Sequence, residues 1–203
     1  MATPRIKLKT EDRQAELVQA ALGLAALRSP AEITTGELAQ AIGITQGGVF
    51  KHFESKEAIW LAVLDWAHQS LIERLKQAAQ TRQASALQAL RAVFMAHIDF
   101  VEQYPGVPRL VFQELQHAKP TPLKSRVQQL MADYRTLLAQ VLARAREEGL
   151  LATEVDLPSA AVLFMGAVQG MVMQSLVTGS LQGIAHQAQA VFNIYEAGLI
   201  ARS

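Results

Sequence analysis

The chain is 203 residues long, half of it apolar and 18% of it charged, with a formal net charge of +1. This balance excludes a disordered tail protein, an acidic scaffold and a broadly basic nucleic-acid coat, so any grip on a polyanion has to come from local charge. The absence of cysteine removes disulfides, thiol nucleophiles and Cys-type zinc or iron–sulfur sites. The first residues, MATPRIKLKTEDR, are polar and lack the apolar core of a secretory signal, and no run reaches ~18 uninterrupted apolar residues. The expectation is a cytoplasmic globular protein with no membrane partner.

Proline sorts the segments. Pro4, Pro30, Pro105, Pro108, Pro120, Pro122 and Pro158 all lie where a helix would start or stop. Between them Ala, Leu, Gln, Glu and Arg dominate, and no alternation of period two is sustained. Apolar spacing predicts an all-α fold of nine helices. The first covers 11–27, with Leu17, Ala21, Leu24 and Ala25 on one face. Short helices at 35–42 and 46–52 precede a long one at 55–80 that carries Trp60, Leu64, Ala67, Leu71 and Leu75. The fifth covers 85–104, and after the Tyr104-Pro105-Gly106 break a shorter one covers 108–117. The seventh, 123–148, is stopped by Gly149, and segments 158–177 and 182–201 close the chain.

Charge is unevenly placed. Residues 1–13 hold Arg5, Lys7, Lys9 and Arg13, whereas residues 158–200 hold one formal charge, Glu196. A stretch so poor in charge is either the core of the monomer or a surface buried against another subunit.

The informative stretch is ITTGELAQAIGITQGGVFKHFESKEAIW, residues 33–60. Thr34 with Glu37 three residues on forms a capping box, so a helix begins there. Two helices crossing steeply need a small side chain at the contact, which Ala39 supplies, and a turn that tolerates positive φ, which Gly43 supplies. Val49, Leu38, Ile42 and Ile44 would fill the wedge between them. Thr45 caps the second helix, whose first turn Gln46-Gly47-Gly48 is small and polar. A recognition helix puts that turn against base edges.

With these caps, this turn and the run Phe53…Ser55-Lys56-Glu57, the chain resembles the TetR family of transcriptional regulators over residues 11–60, and its helix count agrees over the whole length. The resemblance implies a three-helix DNA-binding head at 1–54, with a basic arm at 1–10, and an effector-binding and dimerisation body at 55–203. It implies that Thr34 and Thr35 touch phosphate, that Gln46, Gly47, Gly48 and Lys51 face bases or the groove wall with Thr45 beside them, and that Phe50, His52 and Lys56 hold the DNA backbone. Chemistry agrees in part. Gln46 can pair with adenine and Lys51 with guanine, while Lys56 at a helix start suits phosphate. His52 has an alternative, packing its ring beneath Phe53. The family usually has Tyr at position 50 and often Thr at position 48, so Phe50 and Gly48 depart from it. The arm Arg5-Ile6-Lys7-Leu8-Lys9 either tracks the minor groove or is a solvated tail.

For the body the resemblance implies a small-molecule site and a four-helix dimer seam. Phe94, His97, Ile98, Val101, Phe112, Tyr134, Leu138, Phe164, Met165 and Gln169 are the candidate lining, apolar with few polar groups; each taken singly also suits a plain core. No Arg or Lys stands among them, which points to an apolar or weakly polar effector. Gly166, Ala167 and Gly170 put small residues on one helix face, either for a partner helix or for a contact inside the monomer. His68, His97, His117 and His186 show no i, i+4 pairing, so neither a metal nor a cofactor is expected. The expected function is a ligand-responsive regulator, most often a repressor, acting as a homodimer on a palindromic double-stranded DNA operator. The alternative is a structural or cell-division-associated DNA binder with no diffusible inducer. An enzyme is disfavoured, because no phosphate loop, HExxH, GxSxG or paired-carboxylate motif is present.

Overall fold

The computed structural model describes residues 10–80, 85–179, 181 and 183–200, so the basic arm lies outside the described residues. Nine α-helices occur among these: α1 (Thr10–Ala25), α2 (Thr35–Ala41), α3 (Gln46–Val49), α4 (Lys56–Ala79), α5 (Ala86–Gln103), α6 (Gly106–Leu115), α7 (Pro122–Glu147), α8 (Leu157–Thr178) and α9 (Ile184–Leu199). A one-turn 3-10 helix, Pro30–Glu32, which the spacing did not announce, sits between α1 and α2. The fold is all-α.

The chain forms two compact units, one of residues 1–67 and 104–127, the other of residues 68–103 and 128–203. This differs from the expected division after residue 54: the first half of α4 and all of α6 pack with the head. The reason is steric and apolar. Helix α6 buries Val107, Pro108, Leu110 and Val111, and α1 offers Leu17, Val18, Ala21, Leu22 and Ala25. Helix α6 also starts two residues earlier than proline placement suggests. Pro105 occupies its N-cap and Pro108 its first turn, where a missing N–H leaves no intrahelical bond unmade. Gly106 lets the two backbones approach, since a Cβ there would stand 2.6 Å from the Leu22 carbonyl oxygen and 2.9 Å from the Ala25 Cβ.

The second unit is built on an aromatic cluster. Phe94 of α5 meets Phe164 of α8 at 5.2 Å and Phe192 of α9 at 5.3 Å, and Tyr195 lies 5.5 Å from Phe164. Edge-to-face rings of this kind contribute beyond their buried area. Polar ties close the unit: the Tyr195 hydroxyl donates to the Ala160 carbonyl at 3.0 Å, and the Ala152 N–H donates to the Leu199 carbonyl at 2.9 Å. Carboxylates satisfy helix starts, with Glu148 accepting from the Ala86 N–H and Glu102 from the Gly183 N–H. Helix α8 is long and apolar enough to cross a membrane, with a mean hydropathy of 1.6, and 39% of that window is buried inside the protein. Its inward side packs on α5 and α9.

Gly106→Ala tests the close approach of α1 and α6. The new methyl group meets backbone rather than a movable side-chain end, so a loss of about 1–3 kcal/mol is expected in urea or thermal unfolding.

Candidate functional site

Local hydrogen bonding shapes the α2–α3 surface. Thr34 completes the capping box: its hydroxyl oxygen accepts from the Glu37 N–H at 3.2 Å, and the Thr34 N–H donates to the Glu37 carboxylate at 2.8 Å. That N–H and the Arg28 guanidinium hold the Glu37 carboxyl at a pKa of about 2. Gly43, at φ +66°, ends α2. The Ile44 N–H donates to the Ala39 carbonyl at 2.9 Å and the Gly43 N–H to the Gln40 carbonyl at 3.0 Å, the paired bonds of a Schellman turn. Leu38, Ala39 and Val49 are buried in the wedge as expected, while Ile42 and Ile44 remain partly exposed.

Helix α3 is shorter than the 46–52 expected, regular only to Val49 and continued as a turn through His52. Two adjacent glycines weaken helix propensity by roughly 1 kcal/mol each relative to alanine, which leaves little to propagate it. Thr45 caps it by accepting from the Gly48 N–H at 3.1 Å. Position 48 is tight: a Cβ would stand 3.3 Å from the Thr45 hydroxyl, whereas at Gly47 nothing lies within 4 Å.

Thr34, Thr45, Gln46, Gly47, Phe50 and Lys51 are exposed, and Thr35 is half-buried. The Gln46 amide nitrogen donates to the Thr35 hydroxyl at 2.8 Å, which joins the start of α3 to the start of α2. Phe50 leaves 49% of its surface exposed, so its ring is no core residue. His52 is tied in through its backbone, its carbonyl accepting from the Gln14 amide at 2.8 Å, and its Nδ1 is buried without a partner. Only Nε2 of that ring therefore remains to meet a phosphate. Lys56 is engaged within the head, its ammonium donating to the Ala31 carbonyl at 2.9 Å, and burial lowers its pKa. Sequence reasoning missed Gln113 of α6, whose carbonyl oxygen accepts from the Ala31 N–H at 3.1 Å and the Ser29 hydroxyl at 3.3 Å. A contact spanning so many residues of chain leaves no periodic signal.

In the second unit, Phe94, Ile98, Val101, Tyr134, Leu138, Phe164 and Met165 are buried. His97 is half-buried, its Nδ1 3.1 Å from the Tyr134 hydroxyl. Tyr134 in turn stands edge-on to Phe164 at 6.3 Å. Gln169 is exposed and its amide meets the Met131 sulfur at 3.7 Å. Phe112, half-buried on α6, belongs to the first unit. Phe192 and Tyr195 complete the rings; their i, i+3 spacing on an apolar helix was the available signal. A cavity of about 600 Å³ also opens between α4 and α7, with Ile72, Leu137 and Val141 beside Lys76 and Arg144. None of the expected lining residues borders it. Among the described residues no cluster of groups suits a metal ion.

The small face of α8 is open. Gly166 is exposed and Gly170 half-buried, and among the described residues nothing lies within 4 Å of a Cβ built at either. Ala167 is half-buried. Around them Val162, Leu163, Met173 and Val177 are exposed on α8, and Ile194 is 76% exposed on α9.

A family profile described as "Bacterial regulatory proteins, tetR family" matches residues 17–63, and one described as "Tetracyclin repressor-like, C-terminal domain" matches residues 86–191. Relatives include the nucleoid occlusion factor SlmA of Vibrio vulnificus (strain YJ016), 25% identical over 163 residues, covering 80% of this chain and 83% of that protein. SlmA of Marinomonas sp. (strain MWYL1) is 26% identical over 137 residues, 68% of this chain and 69% of that protein. Among solved structures, the fatty acid degradation regulator FadR from Bacillus halodurans superposes with a TM-score of 0.81 at 16% identity, over 98% of this chain and 100% of that one. FadR from Bacillus subtilis in complex with stearoyl-CoA gives 0.78 at 17% identity, over 91% and 98%. These structural likenesses concern the fold.

The half-buried ring of His97, packed edge-on against Tyr134, has a pH consequence. In the unfolded chain it takes a proton near 6.5, and burial lowers that to about 4 in the folded state. Between these values the unfolded state holds the extra proton, so stability falls as pH is lowered through the window, by at most roughly 1.4 kcal/mol per pH unit. Urea unfolding of the native chain should steepen with acid there, and His97→Phe should flatten the slope.

Proposed function

Since this chain belongs to the TetR family and is a DNA-binding regulator, we propose that it is a repressor released from a palindromic operator by a small, largely apolar effector. The observation that carries the effector reading is the His97–Tyr134 pair among the rings of the second unit, with His97 Nε2 left without a partner. A core that merely filled space would gain nothing from a polar group held there. Reading of the operator falls to Gln46, Lys51 and the Gly47-Gly48 backbone. Thr34, Thr35, Thr45, Phe50 and His52 lie against the sugar–phosphate chain, with Lys56 supporting from behind. Bonded to Thr35, Gln46 keeps its carbonyl oxygen for a base and has lost freedom in advance. Of the stearoyl-CoA bound by the Bacillus subtilis FadR, the acyl chain alone is in keeping with an apolar effector.

The relatives named nucleoid occlusion factor favour a second reading, a DNA binder with a role in cell division and no diffusible inducer. Genome-wide binding separates the two. One or a few palindromes, emptied by an apolar compound, support the repressor; many dispersed sites indifferent to small molecules support the alternative.

The α8–α9 face supports a homodimer, which a palindrome requires if two recognition helices are to stand one turn, about 34 Å, or a small multiple of it apart. Gly166→Arg, and independently Ile194→Arg, should yield monomers in analytical ultracentrifugation with weakened operator binding. Dimers persisting in both variants refute this seam. Phe50→Tyr adds a hydroxyl beside the phosphate chain and should raise affinity about 3- to 10-fold for operator and random DNA alike. Lys51→Ala should weaken operator binding far more than random binding if Lys51 reads a base; equal losses with a shallower salt dependence make it a phosphate contact.

A further inference from the structure

We infer that the effector presents a hydrogen-bond acceptor oxygen, of the ketone or ester kind, to the Nε2–H of His97. This rests on the effector reading above and narrows its chemistry. Tyr134 is 1% exposed, and among the described residues its hydroxyl has one hydrogen-bond partner, Nδ1 of His97 at 3.1 Å. A buried phenol has to give its proton to an acceptor, and Nδ1 is the acceptor within reach. Burial keeps both partners neutral, with the His97 pKa lowered to about 4 and that of Tyr134 raised. A neutral imidazole that accepts at Nδ1 carries its hydrogen at Nε2. The ring is thus set as a donor whose direction is fixed by the Tyr134 contact and by the edge-on stack of the two rings at 5.2 Å.

Among the described residues that donor has no protein acceptor. His97 makes no hydrogen bond besides the one to Tyr134, and its Nε2 is not sealed off, since the half-buried ring keeps accessible surface there. Rings extend from the pair: Tyr134 leads to Phe164, and Phe164 to Phe94 and Tyr195. An amine would bring a donor against a donor. A carboxylate would exchange its hydration for a single N–H, and the cation over these rings, Arg91 at 4.6 Å from Phe192, is already paired with Glu196. A neutral carbonyl sheds little hydration and supplies the missing acceptor, while its hydrocarbon body lies on the rings.

The test uses the full-length protein with ¹⁵N-labelled histidine, and cyclododecanone and methyl decanoate as probes against cyclododecylamine. Ring nitrogen shifts should show Nε2 protonated and Nδ1 unprotonated. The ketone and the ester should raise the melting temperature and move the His97 Nε2–H resonance, and the amine should do neither. His97→Phe should weaken cyclododecanone binding about tenfold. Should that variant fail to fold, Tyr134→Phe serves: loss of the phenol donor should admit the Nδ1–H tautomer and weaken the ketone. The inference is overturned by an unprotonated Nε2 in the native chain, by equal binding of ketone and amine, by no binding of either carbonyl probe, or by ketone binding that leaves His97 unmoved. A water held permanently on Nε2 would appear as this last outcome. If cyclododecanone engages His97 yet leaves affinity for a selected operator unchanged, the effector reading fails and the acceptor-reading site stands.

Discussion

Helices α8 and α9 have to bury apolar surface on two sides. Inward, Phe164, Phe192 and Tyr195 close on Phe94 of α5, and this ring cluster sets the spacing of the helices in the second unit. Outward, Val162, Leu163, Met173, Val177 and Ile194 stay exposed around Gly166 and Gly170, where an added Cβ would meet nothing within 4 Å among the described residues. At about 25 cal/mol per Å² of apolar area, leaving such a face in water is costly. The ring cluster and the exposed apolar face thus belong to one stretch of chain with a single formal charge, Glu196.

The head works by a different economy. Its helices are too short to hold themselves, and α3 carries two glycines, so caps and cross-links replace length. The Thr34–Glu37 box, the Schellman turn at Gly43, the Thr45 cap, the Gln46–Thr35 bond and the Gln14–His52 bond all fix backbone close to the exposed face. Behind it, Lys56 and Gln113 hold the two main-chain groups of Ala31. Few of these are strong singly, at about 1 kcal/mol net each, but they rigidify a surface that has to fit the groove before it meets DNA. Gly106 adds the contact that seats α6 on α1.

The helices, their order and the turn between α2 and α3 were legible in the sequence, because caps, glycines and 3.6-residue periodicity act over a few neighbours. The small, polar first turn of α3, which the structure leaves largely exposed, was legible for the same reason. What sequence left open were the ends and the partners. Helix α6 begins at Gly106 rather than Pro108 because tertiary packing on α1 accepts a glycine that propensity alone reads as a break. Gln169, set among the lining residues on the strength of the resemblance, is exposed, since a helix apolar all round does not say from its sequence which side faces in.

Sequence by itself therefore determined the class of fold, the position of the helix-turn-helix, and the existence of a charge-poor segment, all of them consequences of local chemistry and composition. The tertiary structure alone decided that residues 104–127 pack with the head, that Gly166 and Gly170 look outward, and that His97 meets Tyr134 while its far nitrogen stays unpaired. Each of these depends on side chains tens of residues apart being brought within a few ångströms, and no periodicity along one chain encodes such a distance.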